Sequence, residues 1–381
     1  PPATAPPHHG HTRQGGDPDI VPRNATSRGG RVERRFACEV DGHPVAMAVA
    51  MHRGVSGPRQ ILEYGVGEFN EACRSMVQAT TDEWETITKR MGRWVDFAND
   101  YKTMDVDFME SVWWVFKALW DKGLIYQDFK VLPYSYGATT PLSNFEANLD
   151  YRDVDDPAIT VRLEVLADHG AAQAGDYLLI WTTTPWTLPG NLAVAVGDAI
   201  EYVRVSGAID GLEGNYWLAA DLVDTFVSGD ATVLASARGA DLVGLEYVPP
   251  FDYFGDQRDR GAFRVIESDD VTVEEGTGLV HMAPAYGEAD FYALNDAGLD
   301  VMVDPVDAEA RFTDEVPDVA GKNVKEADAT LIRILKDRQL IVRHEQIRHS
   351  YPFCWRTETP LIYKAIPTWF VKVESFRDKM V

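Results

Sequence analysis

Apolar residues change their spacing twice along this chain. Over 75–121 they recur at three- and four-residue intervals. Met109, Val112, Trp113, Phe116, Leu119 and Trp120 share one helical stripe, and Gly123 follows as a terminator. The stripe predicts a buried helix whose tryptophans belong to a core. Beyond about Asp150 the apolar runs shorten to 161–166, 177–183, 192–196, 202–205, 263–266 and 279–282, parted by Gly and Asp. Many short strands at near-regular spacing predict a β-barrel or sandwich. A helix over 324–337 interrupts the series before 340–342. Residues 1 to about 30 are rich in Pro, His, Gly and Arg, have no apolar period and read as loop or disorder. A helical first third followed by a β region implies two domains divided near residue 155. His349-Ser350-Tyr351-Pro352 and the run from Pro360 to Phe370 then read as a linker and a fresh strand. The chain stops at Met380-Val381, and the expectation is that it breaks off mid-domain.

Composition narrows the class. The 381 residues are 45% hydrophobic, enough for two or three filled cores. No apolar run approaches a membrane span and no signal-peptide core is seen, so a cytoplasmic protein is expected. Cys38, Cys73 and Cys354 are odd in number and far apart, which argues against a disulfide framework. The net charge of −24 would ordinarily exclude a nucleic-acid partner, because phosphate binding needs clustered Lys and Arg. Here the acidic residues are scattered along the whole chain. That fits a halophile's solvated surface, screened by salt, or a merely acidic mesophilic protein.

The chemistry concentrates in two strings. Trp181-Thr182-Thr183-Thr184-Pro185-Trp186-Thr187-Leu188-Pro189-Gly190-Asn191 is uncharged and hydroxyl-rich, and it follows the apolar run Tyr177-Leu178-Leu179-Ile180. Prolines stiffen the turn, so hydroxyls and amides at a strand end can wall a small polar cleft. Three threonines alone are equally well explained by a strand and a tight turn. The second string, Gly276 to Phe291, runs a strand carrying His281 into a Pro/Gly turn, with Asp290 placed to return toward the strand end. A carboxylate there can grip an ammonium group. Taken singly, His281 also fits a satisfied core histidine and Asp290 a solvated cap.

Together these strings resemble, in order and spacing, the two walls of the editing pocket of isoleucyl-tRNA synthetases. Outside the pocket, Asn99-Asp100-Tyr101-Lys102-Thr103-Met104-Asp105 followed by 108–116, and Pro133-Tyr134-Ser135 with Thr140-Pro141-Leu142-Ser143-Asn144-Phe145-Glu146, resemble the archaeal and eukaryotic type of that family. The resemblance implies an α/β protein: a partial class I Rossmann-type catalytic domain interrupted by an inserted β-barrel-like editing domain. The first catalytic half would be 1–155, with 1–69 eroded; the insert would be 156–345 and the return 346–381. For editing it implies Thr182, Thr183 and Thr184 around the terminal ribose and ester, Asp290 on the α-ammonium and His281 as the limit on side-chain size. Thr187, Asn191 and Trp186 fall on further substrate-binding positions. For synthesis it implies His8 and His11 on ATP, in Pro7-His8-His9-Gly10-His11. Glu39 stands where the family has an aspartate for the substrate's amino group.

The implied partners are ATP with Mg²⁺, isoleucine, tRNA(Ile) and mischarged Val-tRNA(Ile), with a monomeric full-length enzyme. Some members carry a zinc knuckle of two cysteine pairs. Ala138 and Thr357 occupy ligand positions here, and Cys354 alone cannot build a tetrahedral site, so no zinc is expected. The expected activity of this chain is editing without synthesis. A non-catalytic tRNA-binding or functionless fragment remains open. So does a valyl or leucyl relative, although those families usually carry an Arg in the threonine-rich motif.

Overall fold

The computed structural model describes residues 19–38, 40, 43–55, 57–227 and 231–380. The chain packs as two compact units, Pro1–Asp128 with Trp369–Val381, and Phe129–Thr368. No described helix is long and apolar enough to cross a membrane.

In the first unit, β1 (Arg35–Cys38) pairs in parallel with β2 (Asp96–Lys102), Cys38 opposite Lys102. Parallel pairing needs a long crossover, and helices α1 (His43–Arg53), α2 (Gly57–Tyr64) and α3 (Val66–Arg90) supply it. Phe36, Cys38, Val40, Val45, Val77 and Trp84 form its core. The helical run over 75–121 is therefore broken by a strand. β2 is the polar segment Asp-Phe-Ala-Asn-Asp-Tyr-Lys, in which Asp96 folds back to accept from the Ala98 and Asn99 amides.

Helix α4 (Val106–Asp121) forms as its period requires, and Gly123 closes it with φ 67°. The burial expected of it is not found. No α4 residue is buried; Trp113 and Trp114 are 68% and 70% exposed. Phe116 and Trp120 pack edge-on against Trp369, and the outer tryptophans remain open. Periodicity tells which residues share a face, whereas burial depends on a second layer lying against it. Residues 19–27, expected as loop, are helical, with buried Asp19 paired to Arg23 and Arg34.

In the second unit a curled sheet dominates. It is approached through β3 (Ile125–Ser135) and the short β4 (Thr140–Pro141). Next come β5 (Tyr151–Glu164), β6 (Tyr177–Thr182), β7 (Ala193–Val196), β8 (Glu201–Ile209), β9 (Leu212–Ala219), β10 (Thr232–Arg238), β11 (Arg264–Glu267) and β12 (Val280–Met282). Helices α5 (Glu288–Asp296) and α6 (Val324–Asp337) precede β13 (Ile341–Pro352) and β14 (Ile362–Val371). The α6 bounds are those its apolar pattern predicts. The main path runs β10-β8-β9-β6-β12-β7-β11, with β5 on the other edge of β6 and β13 beyond it. Positions 155 and 345, where the sequence pattern changes, lie inside the long β5–β13 ladder.

Strand β6 is forked. On one edge Tyr177 and Leu178 pair in parallel with β9, while further along Trp181 pairs in parallel with β12. Thr277 fills the cleft of the fork. Its hydroxyl donates to the Leu179 carbonyl at 2.6 Å and its own carbonyl accepts from the Ala219 amide at 3.0 Å. Gly278 makes this possible: its φ is 77°, and a Cβ there would meet the Ala219 Cβ at 2.4 Å. The fork opens the sheet just where the threonine-rich string leaves β6.

Candidate active site

Strand β6 ends at Thr182, and Pro185–Gly190 follows as one buried 3-10 turn with proline at its first position and again at 189. Proline at the start preorganises the turn, since its missing N–H has no helical partner to lose. The turn sets Thr187 beside Thr184. The Thr184 amide donates to Thr182 Oγ1 at 3.1 Å, the Thr182 and Thr184 hydroxyls lie 3.2 Å apart, and Thr187 Oγ1 donates to the Thr184 carbonyl at 2.9 Å. Across from them, β12 delivers His281 and the N-terminus of α5 delivers Asp290. A cavity of about 340 Å³ lies between, lined by Thr182, Thr183, Thr184, Thr187, His281 and Asp290 among others.

His281 is locked from both sides. Asn191 Nδ2 donates to its Nδ1 at 2.8 Å, which leaves the Nε2–H to donate to Thr187 Oγ1 at 3.0 Å. Asn191 is held in turn: its Nδ2 also donates to the Ala193 carbonyl at 3.0 Å, and its Oδ1 accepts from Tyr247 Oη at 2.7 Å. Burial lowers the imidazole pKa to about 3. At neutral pH this is a neutral ring with both nitrogens occupied. It can shape the cavity and cannot take a proton without breaking the network.

Asp290 is the opposite case. Its Oδ2 accepts from the Ala283 amide at 2.7 Å, and no described cation pairs with it. Burial, reinforced by the nearby Asp270 charge, raises its pKa to about 6 in spite of the amide bonds. Gly287 permits the tuck of the carboxyl group, because a Cβ there would stand 2.5 Å from Asp290 Cγ. The cavity thus offers neutral hydroxyls on one side and an unneutralised carboxylate on the other.

Of the residues read from the sequence, Trp186 and Asn191 do not reach the cavity, and their expected substrate contacts are corrected accordingly. Trp186 is 3% exposed and packs edge-on to Tyr286 at 4.8 Å, and Asn191 is 2% exposed behind His281. Both support the wall from behind. Glu39, His8 and His11 lie outside the described residues. Sequence reasoning missed Tyr247, and it missed Asp270, Glu275 and Tyr286 in the lining. Tyr286 stands inside the second string and a Tyr after a Pro-Ala turn was a usable signal; Tyr247 had none. A larger cavity of about 630 Å³ follows β11, and it gathers none of the predicted site residues.

The surroundings of Cys354 do not suit zinc. Its sulfur accepts from the Ser135 and Thr357 hydroxyls and from the Arg356 and Thr357 amides, which offers one thiol where a structural site needs four strong ligands. Among the described residues no group of three His, Cys, Asp or Glu could hold a metal ion.

Comparison with known proteins gives this geometry a family. Isoleucine--tRNA ligase of Bdellovibrio bacteriovorus is 49% identical over 381 residues, covering 100% of this chain and 35% of its own length. The enzyme so named from Chlamydia pneumoniae is 46% identical over 382 residues, covering 100% and 36%. The cytoplasmic one of Saccharomyces cerevisiae is 44% identical over 388 residues, covering 100% and 35%. The chain therefore spans about a third of the length of these curated relatives. The family model "tRNA synthetases class I (I, L, M and V)" matches residues 1–381. On that full-length match, the chain belongs to the class I tRNA synthetases.

Proposed function

We propose that the cavity is the hydrolytic editing site of an isoleucine--tRNA ligase, and that 156–345 is an editing domain inserted into a Rossmann-type catalytic domain. The observation that carries this reading is Asp290, a buried carboxylate facing the threonine hydroxyls, with no cation paired to it among the described residues. An α-ammonium is the ligand that answers it. With the ammonium on Asp290, the ester and terminal ribose of a mischarged tRNA fall toward Thr182, Thr183 and Thr184. His281 faces the amino-acid side chain. Because that ring is bonded at both nitrogens it cannot swing aside, so an added methylene meets a fixed wall. One methylene in an apolar pocket is worth only about 1–3 kcal/mol, which is why a second sieve for valine is useful to a synthetase that must select isoleucine.

Hydrolysis adds water to the ester carbonyl and releases the ribose oxygen, which takes up the water's proton. Thr182, Thr183 and Thr184, the residues assigned to the ester, carry no basic group, so their contribution is orientation: hydroxyls and amides hold the water and the ester in line. A neighbouring ribose hydroxyl completes the arrangement. The longer protein of which the relatives are examples would bind isoleucine, ATP with Mg²⁺ and tRNA(Ile), and make the ester that this site inspects.

The test is deacylation by the full 381-residue chain. Val-tRNA(Ile) is expected to be hydrolysed, Ile-tRNA(Ile) spared, and Asp290→Ala inactive with an unchanged circular dichroism spectrum. A wild-type chain that binds the valyl ester without turning it over, or an Asp290→Ala chain of normal activity, contradicts the reading.

A further inference from the structure

The return strand β14 carries a buried ammonium that the editing chemistry does not use. Lys364 is 7% exposed, and its Nζ donates to Asp304 Oδ1 at 2.6 Å, to Asp304 Oδ2 and to the Val306 carbonyl. Asp304 Oδ1 also accepts from Tyr286 Oη at 3.1 Å. Tyr286 lines the cavity, and its ring meets Trp186 edge-on at 4.8 Å. One residue further along β14, the Ala365 amide donates to the Ala285 carbonyl at 2.7 Å. The turn that leads into Gly287 and Asp290 is thus clamped twice by neighbouring residues of one strand, through a side chain and through the backbone.

A buried ammonium with a single carboxylate partner is costly to break, because either ion left alone is desolvated and unpaired. That makes the link stiff. Tyr286 has no other hydroxyl partner to fall back on among the described residues, so loss of Asp304's orientation frees the ring at the phenol end. The freed ring is part of the cavity wall, four residues before Asp290.

Resting on the editing reading above, we propose that Lys364 is a positioning residue of the cavity: through Asp304 it fixes Tyr286, and Tyr286 contributes to the discrimination between valine and isoleucine esters. The residue touches no substrate itself. Its effect is on the shape of the wall, and so on selectivity more than on fold.

The experiment measures kcat/KM for Val-tRNA(Ile) and Ile-tRNA(Ile), per folded molecule, in the full chain and in Lys364→Met, Lys364→Arg and Tyr286→Phe. Lys364→Met is expected to narrow the valine-to-isoleucine ratio by about tenfold, with Lys364→Arg restoring most of it. Tyr286→Phe keeps the ring and cuts the link to Asp304, and is expected to narrow the ratio by about threefold to tenfold. It carries the test if Lys364→Met does not fold. In Lys364→Met with Tyr286→Phe the losses should not add, as for groups in one chain of contacts. An unchanged ratio in Tyr286→Phe, or a lower melting temperature in Lys364→Met with the ratio intact, overturns the proposal. Absence of valyl hydrolysis by the wild-type chain overturns the editing reading instead.

Discussion

Two titratable groups of the cavity, His281 and Asp290, are built in opposite ways. Behind His281 runs a continuous chain of hydrogen bonds: Tyr247 to Asn191, Asn191 to the imidazole, the imidazole to Thr187, Thr187 to the Thr184 carbonyl. At Asp290 only backbone amides, those of Ala283 and of Asp290 itself, answer a buried charge among the described residues. Both groups are desolvated, yet one is silenced by its partners and the other is left expectant. A completed network holds shape, because each bond limits the freedom of the next. An incomplete one marks where a ligand supplies what the protein omits. On the editing reading proposed above, the difference separates the wall that would measure the substrate from the corner that would catch it.

Mutations that exchange these roles should fail in different currencies. The largest effect is expected from Asp290→Ala, a loss of about 100-fold or more in deacylation with the fold kept, since a charge-assisted contact to substrate disappears. Gly287→Ala should follow at about tenfold, because its methyl displaces the carboxyl group without removing it. Kinetics of the two variants beside circular dichroism check both. On the other wall, Asn191→Ala should act first on stability. It leaves His281 Nδ1 and Tyr247 Oη without partners, at about 1–3 kcal/mol, read as a lowered denaturation midpoint.

A signature of comparable size lies in pH. The carboxyl of Asp290 titrates near 6 in the folded chain and near 3.9 when unfolded, so the folded state holds the extra proton between those values. Stability from this group therefore falls as pH rises from about 4 to 6. Asp290→Asn removes the penalty and should gain up to about 3 kcal/mol at pH 7 relative to wild type. His281 runs the other way. Its folded pKa of about 3 lies below the unfolded 6.5, so its contribution is present above pH 6.5 and lost as pH falls toward 3. Denaturation of wild type and Asp290→Asn at pH 4 and pH 7 checks the sign.

Much of this is legible in the sequence alone. The bounds of α6, the strands β6, β7 and β12, and both walls of the cavity follow from apolar spacing and from two strings. What escaped has physical reasons. Strand β9 begins Leu-Glu-Gly-Asn, of which Glu, Gly and Asn are poor in strands, and is held by pairing with β8. Its own signal was the turn: Asp210 and Gly211 both have positive φ between Ile209 and Leu212, the two-residue hairpin that Asp-Gly favours. The exposure of Trp113 could not be read from period at all. Trp186 and Asn191 sit on motif positions, and only burial shows that they work from behind the wall.

Asp290's claim on the α-ammonium is tested most directly by changing the substrate. Val-tRNA(Ile) and the same ester of 2-hydroxyisovalerate differ only in an ammonium replaced by a hydroxyl. The wild-type chain should hydrolyse the valyl ester with kcat/KM at least about tenfold higher, and Asp290→Asn should bring the two together. A wild-type chain indifferent to the ammonium, or an Asp290→Asn chain that keeps the full preference, would contradict the account.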